Sequence, residues 1–354
     1  MVGPSPRALH GAAVGVAALS VTAAAAFLAL PSRPVQRPAT AIVAPSAFVA
    51  RGHVGDCSRS SPCGSIVQAV RQARPGSVVQ IAAGHYPEQI LAADTRPAES
   101  AAVTLQAARG AKVVFAGVRC GASTGDRGPN ALRIVGMRFD NVLINRCDRL
   151  SMHGVEIHGG LFLEGTTRFS MFGGSIGPGT DFHSDIKAVY RSNPPIVPRR
   201  ILFDGVRFHD WKVETPGEHI ECLQVSDVNG LVIRRSRFER CDTFDLHIQG
   251  TEAGPVKDVL IEDNEFGTTS DHSNSIRAYY SLSVRDGIGV RIARNRSTQG
   301  WALPAAGATV KDWTVSQNSA PMRSWQCDQR IAYRRNRWTG AGCGPTDVPT
   351  APLR

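Results

Sequence analysis

The chain has 354 residues and a formal net charge of +10, with 40 Lys plus Arg against 30 Asp plus Glu. Its length suits one large domain with a short leader, and its basic balance favours polyanionic partners. Aromatic residues make up only 6%, which argues against a groove that stacks nucleic-acid bases.

Residues 1–10 carry Arg7 and no acid, and residues 11–30 are small and apolar. Residues 1–31 therefore have the layout of a secretory signal peptide. Ala and Gly dominate the apolar run, which favours cleavage, but no clean A-x-A site follows and an uncleaved N-terminal anchor is the alternative. Residues 32–52 are rich in Pro and Ala and are expected to form a linker. The body of the fold is expected over 53–344, followed by a C-terminal tail at 345–354. Eight cysteines in an exported chain favour disulfides. Their spacing suggests the local pairs Cys57–Cys63, Cys120–Cys147, Cys222–Cys241 and Cys327–Cys343, although eight cysteines allow 105 pairings.

Residues 64–74 place Ile66, Ala69, Val70 and Ala73 at helical spacing, with Ser65 as a capping residue and Pro75-Gly76 as the stop. The strand Val78–Ala82 follows. The whole stretch Pro62–Ile90 resembles the N-terminal signature of secreted right-handed parallel β-helix proteins of the pectin-lyase-like superfamily. Their pattern is a Cys-rich turn, a short helix, then P-G-x-x-[VI]-x-[VI]-x-x-G-x-Y-x-E. Pro75, Gly76, Val79, Ile81, Gly84, Tyr86 and Glu88 match it. The resemblance implies a fold and not a reaction, since the superfamily holds lyases, hydrolases, epimerases, esterases and adhesins.

From residue 132 onward one phrase recurs, as in LRIVGMRF (Leu132–Phe139), ILFDGVRF (Ile201–Phe208) and IAYRRNRW (Ile331–Trp338). The nine starts are 18, 19, 32, 30, 28, 31, 23 and 18 residues apart. The shortest interval is too small for a strand–helix–strand unit, which needs about 30 residues. It suffices for one coil of a solenoid, in which stacked coils bury a face that no coil buries alone. Each coil is expected to hold a second strand, at Val142–Cys147, Leu161–Thr166, Ile186–Arg191, Ile220–Ser226, Phe244–Gln249, Ile276–Tyr280 and Trp301–Ala305. The fold class is thus all-β: a right-handed parallel β-helix solenoid with a short N-terminal capping helix. An antiparallel sandwich is the competing reading.

Chemistry is expected where polar residues crowd successive coils: His219, Glu221 and Gln224, then Asp242, Asp245 and His247, then Arg277 and Tyr279, with His183, Asp185 and Lys187 from an earlier loop. Rungs about 4.8 Å apart would bring these within reach of one or two sugar units. Strand alternation places Cys222, Gln224, Asp245, His247, Arg277 and Tyr279 outward, and gives Glu221 the parity of the buried side. A uronate lyase or epimerase needs a cation, a base and an acid. Arg277 or Lys187 could be the cation, His247 or His219 the base, and Tyr279 the acid. A glycosidase needs two carboxyl groups, and Asp245 with Asp242 or Glu221 is the available pair. The bland reading is a solvated face with ladder hydrogen bonds. HIECLQV resembles a His-x-[Asp/Glu]-Cys-x-Gln phrase of uncharacterised bacterial β-helix proteins, which implies no reaction. Asp245-Leu246-His247 is only weakly similar to the Asp-Pro-His-Asp motif of β-helix mannuronan epimerases, since Leu246 and Ile248 replace the Pro and the second Asp.

No phosphate-binding loop, G-x-S-x-G elbow or H-E-x-x-H occurs in the sequence. The sequence leaves the cofactor open, and a Ca²⁺ bridging substrate to outward carboxylates is compatible with the residues. The expected function is carbohydrate-active and lyase-like, acting on an acidic or cell-surface polysaccharide. A non-catalytic glycan- or wall-binding surface solenoid and a glycoside hydrolase are the alternatives. The expected setting is secreted, periplasmic or at the cell surface, as a monomer, with no nucleic-acid partner and with membrane contact only through an uncleaved leader.

Overall fold

From Val78 to Ala302 the coils repeat three short strands, which stack in register on their counterparts in neighbouring coils. One coil runs Asp148–His153, Glu156–Ile157 and Leu161–Glu164, with a turn after each strand. All three strands pair in parallel with the coils on either side, for example Met152↔Ile134 and Met152↔Met171. Repetition of this unit generates three parallel sheets along the molecule, and the chain is a parallel β-helix solenoid. The computed structural model describes residues 44–350 except 94–95, 98, 122–127, 191, 216–218, 268–279, 305–306, 323–326, 341–342 and 345–346. The leader at 1–31 lies outside the described residues. Among the described residues no helix is long and apolar enough to cross a membrane.

The first sheet runs from Ala47–Val49 to Ala332–Arg334 and holds the recurring phrase. The second runs from Gly84–Tyr86 to Val348–Thr350 and takes the large apolar residue that closes the phrase. The third runs from Gln89–Leu91 to Trp301–Ala302. Alternation along each strand sends every second side chain inward, where identical residues meet in register. Phe208 stacks on Phe238 at 4.5 Å and Phe238 on Phe266 at 5.0 Å. Tyr86, Phe115 and Phe139 form a similar column near the N-terminus.

The turn from first to second sheet needs a left-handed residue. Gly136, Gly154, Gly173 and Gly205 supply it in the earlier coils. Arg235, Asp263, Arg294, Gln317 and Arg335 supply it afterwards, with φ between 51° and 57°, at a cost of about 1–2 kcal/mol each. Ion pairs offset part of that cost: Arg235 Nε donates to Asp204 at 2.8 Å, and Arg294 Nε donates to Asp263 at 2.8 Å. The following residue points inward, and Asn264, Asn295, Asn318 and Asn336 bond to one another in a buried ladder.

The helix Ile66–Gln72 covers the first coil. Ser65 caps it by accepting from the Val67 amide at 3.1 Å, and Ile66, Ala69 and Val70 are buried. Four disulfides join the local pairs that the spacing suggested, Cys57–Cys63, Cys120–Cys147, Cys222–Cys241 and Cys327–Cys343.

Four expectations need correction. The first rung is Ala47–Val49, inside the stretch read as a linker, because Ala47 and Val49 alternate into the core beside Val79 and Ile81. Val348–Thr350 forms a further rung inside the expected tail, paired with Arg337–Gly340. Cys222, read as outward-facing, is fully buried in its disulfide. The rung that stacks on Phe244–Ile248 is Leu282–Val284 rather than Ile276–Tyr280. The text SIRAYYSLSV alternates in both places, and alternation alone cannot tell which segment reaches the sheet.

Candidate functional site

The third sheet carries most of the residues singled out in the sequence, and its register decides which of them meet. Glu221 opens the strand Glu221–Val225 and takes the inward parity of Leu223 and Val225. Its residue is fully buried, and neither carboxyl oxygen has a hydrogen-bond partner. Two imidazoles flank it instead: His183 Nδ1 lies 3.5 Å from Oε2 and His219 Nε2 lies 3.7 Å from Oε1. Burial pushes the Glu221 carboxyl up to about 7, against the weaker opposing charge of His219. Burial, followed by the charges of His219 and Lys187, pulls His183 down to about 4. Near neutral pH His183 is therefore uncharged and Glu221 is poised between its two forms. His219 is the exposed member of the group, with 63% of its side chain open to solvent.

Lys187 lies on the outer face of the same sheet, already shared between two acids. Its Nζ is 3.4 Å from Glu164 Oε1 and 3.4 Å from Asp185 Oδ2. Burial lowers its pKa, but the charges of Asp185 and Glu164 outweigh this and hold it above the ordinary value. Asp185 is buried and raised for that reason, with Lys187 acting against the rise. Asn145 Nδ2 donates to Glu164 Oε2 at 3.3 Å and extends the network one rung back.

The expected outward pair fares differently. Asp245 is only 5% exposed, and burial holds its carboxyl well above the usual range while a backbone hydrogen bond from Gly267 opposes this more weakly. His247 is 8% exposed, lies 5.2 Å from the Phe244 ring, and is lowered by burial. The rung beside it presents Ser283 where Arg277 was expected. Arg277 and Tyr279 lie outside the described residues. Asp242 is also buried, and its Oδ2 accepts from the Val213 amide at 2.7 Å. All three acids of the expected glycosidase pair are buried in this structure. Among the described residues no group of three or more His, Cys, Asp and Glu is placed to hold a metal ion.

Toward the N-terminus the same face is open. One outer column runs Ile90, Arg119, Leu143, Phe162, Asp185, Gln224, His247. A cleft of about 320 Å³ there is lined by Glu88, Arg119, Asn141, Leu143, Phe162 and Glu164. Phe162 stacks near Phe182, with ring centres 6.4 Å apart, and Phe182 is 38% exposed. Arg119 Nε donates to Glu88 Oε1 at 2.8 Å. Sequence reasoning did not single out Glu164, Phe162 or Phe182. The available signal was parity: Phe162 and Glu164 alternate with the inward Leu161 and Leu163, as Asp185 and Lys187 alternate with Ile186 one coil later.

Stacked parallel rungs around one apolar core, closed by a short helix, place the chain among the parallel β-helix proteins. No family model matches it, and no curated protein matches it. Among solved structures it is similar to two of PfbA from Streptococcus pneumoniae, one described as a surface protein and adhesin and the other as a surface adhesin. The first superposes with a TM-score of 0.53 at 14% identity, covering 81% of this chain and 90% of that one. The second gives 0.55 at 13% identity, with 82% and 84% covered. At such identity the likeness is one of fold.

Proposed function

We propose that this chain is an exported, surface-displayed β-helix that holds a glycan along the outer face of its third sheet without breaking it. The contrast between two stretches of that face carries the reading. Around Leu143 and Phe162 the face is open and apolar between polar flanks. The apolar side of a sugar ring can lie there while its hydroxyls meet Glu88, Asn141 and Glu164. Around Asp245 and Glu221 the carboxyl groups are sealed. Bond cleavage needs groups that reach the substrate. The fold shared with a surface adhesin supports display at the surface, as does the leader-like composition of residues 1–31. The basic balance supports an acidic or wall polymer as ligand. Membership of the pectin-lyase-like superfamily, and action as a monomer, belong to the same proposal.

A second reading, lyase-like acid–base chemistry on a uronate polymer, draws on the His183–Glu221–His219 group, because a carboxyl poised near 7 beside an exposed imidazole can pass protons. One experiment separates the two. The purified full chain is incubated with neutral, uronate and cell-wall polymers, following both co-sedimentation and the absorbance of an unsaturated product. The expected outcome is binding without product, weakened about tenfold by Phe162→Ala, which corresponds to about 1.4 kcal/mol. Product formation lost in His219→Ala would establish the lyase reading instead. Undiminished binding by the Phe162→Ala variant would remove the platform.

A further inference from the structure

A different edge of the solenoid, the turn joining the first and second sheets, changes character toward its C-terminal end. In earlier coils its arginines are neutralised. Asp204 binds Arg234 and Arg235. Glu239 takes Arg207 at 3.0 Å and also pairs with Arg237. Arg294 is held by Glu262 at 2.6 Å and Asp263 at 2.8 Å. Beyond that rung the outward positions described at this turn carry no acid. The next coil presents Gln317 and Ser319, and the coil after it presents Arg335 and Arg337, all exposed. Register stacks Arg296 on Ser319 and Ser319 on Arg337. Among the described residues neither Arg296 nor Arg337 has an ion-pair partner.

Arg294, Arg296, Arg335 and Arg337 line a cleft of about 700 Å³ together with Asp263, the carboxylate that holds Arg294 jointly with Glu262. The cleft floor offers no competing anion: Asn295 and Asn318 spend their amides on the internal ladder. The arginine rungs are two coils apart, or about 10 Å. Gln317 and Ser319 supply neutral hydrogen-bonding groups between them. Guanidinium forks match carboxylate and phosphate groups in two-point contacts. We infer that this cleft is a binding site for an extended polymer bearing carboxylate or phosphate groups, laid along the solenoid axis so that successive anions meet the two arginine rungs. The site goes beyond the third-sheet platform and does not share its residues.

The test titrates the full chain with polygalacturonate, with linear polyphosphate and with neutral dextran, each at several salt concentrations. Arg296→Gln/Arg337→Gln removes the two unpaired guanidinium groups, and Arg71→Gln/Arg109→Gln removes equal charge elsewhere on the exposed surface. Thermal melts verify folding. At least one polyanion should bind with salt-sensitive affinity, weakened tenfold or more by the cleft variant and less than twofold by the control. The stronger polyanion identifies the anionic group. The inference falls if neither polyanion binds, if both double variants lose equally, or if the cleft variant binds as the wild type does. Phe162→Ala should leave polyphosphate affinity unchanged, so failure of the cleft and failure of the platform are read separately.

Discussion

Glu221 shows how one buried group sets a pH dependence. Ionising it inside the fold is opposed by burial, which raises its pKa from an ordinary 4.5 to about 7. Between those values the folded chain keeps a proton that the unfolded chain has lost. Stability therefore falls as pH rises through this window, and the full penalty, on the order of 3 kcal/mol, is present above pH 7. His183 acts in the opposite sense. Its folded pKa is lowered from 6.5 to about 4, so the unfolded chain binds the extra proton and stability is lost as pH falls from 6.5 toward 4. Glu221→Gln removes only the first effect. The variant should be more stable than the wild type at pH 8 and equally stable at pH 4, measured as urea midpoints at both values. A loss at pH 8 would mean that the ionised carboxylate is stabilised by its imidazoles. The inward parity of Glu221 was legible in the sequence. Its contact with His183 was not, because that residue lies 38 positions earlier on the preceding rung, and the loop between them hides the register.

At the scale of the coil, the recurring phrase carries the fold and its Asn positions carry much of the order. Asn295 accepts from the Asn264 amide at 2.9 Å and from Asn264 Nδ2 at 3.0 Å. It donates through its own Nδ2 to Ile261 O at 2.9 Å and to Asn318 Oδ1 at 3.0 Å. Asn295→Ala would leave buried groups on both sides unpaired, so a loss of about 2–4 kcal/mol is expected in chemical denaturation, with an unchanged slope. A loss below about 0.5 kcal/mol would show that the ladder fixes geometry without adding stability. The first-sheet strands from Asn130 onward were legible because an apolar–x–apolar phrase repeated in one order. The earlier coils, Val103–Ala107 with Val113–Phe115 and Val118–Cys120, were not, because AARGAKVVFAGVRC lacks the phrase. The same limit moved the site. Ile276 and Ala278 imitate a rung, the true rung is Leu282–Val284, and His247 meets Ser283 rather than Arg277.

Across the described stack the architecture is close to one-dimensional, since each coil rests on its neighbours. The helix Ile66–Gln72 packs against the strands Ala47–Val49, Val78–Ile81 and Gln89–Leu91 at one end. At the other end Asp347 finishes the Asn ladder. Its Oδ1 accepts from the Asn336 amide and Nδ2, each at 3.0 Å. Its Oδ2 accepts from Trp338 Nε1 at 2.6 Å and from the amides of Cys343 and Gly344 at 3.2 and 3.0 Å. One carboxylate thus satisfies five donors. In a stack governed by nearest neighbours, its loss should loosen the adjoining coils first. Asp347→Ala is therefore expected to lower amide hydrogen-exchange protection across 313–340, where the arginine cleft ends, while strands at 130–164 keep wild-type protection. Affinity for polyanions should fall with it, since Arg335 and Arg337 ride on those coils. Equal loss of protection along the whole chain would instead show that the coils unfold as one cooperative block, and the cleft would then owe its shape to the entire stack rather than to its terminal cap.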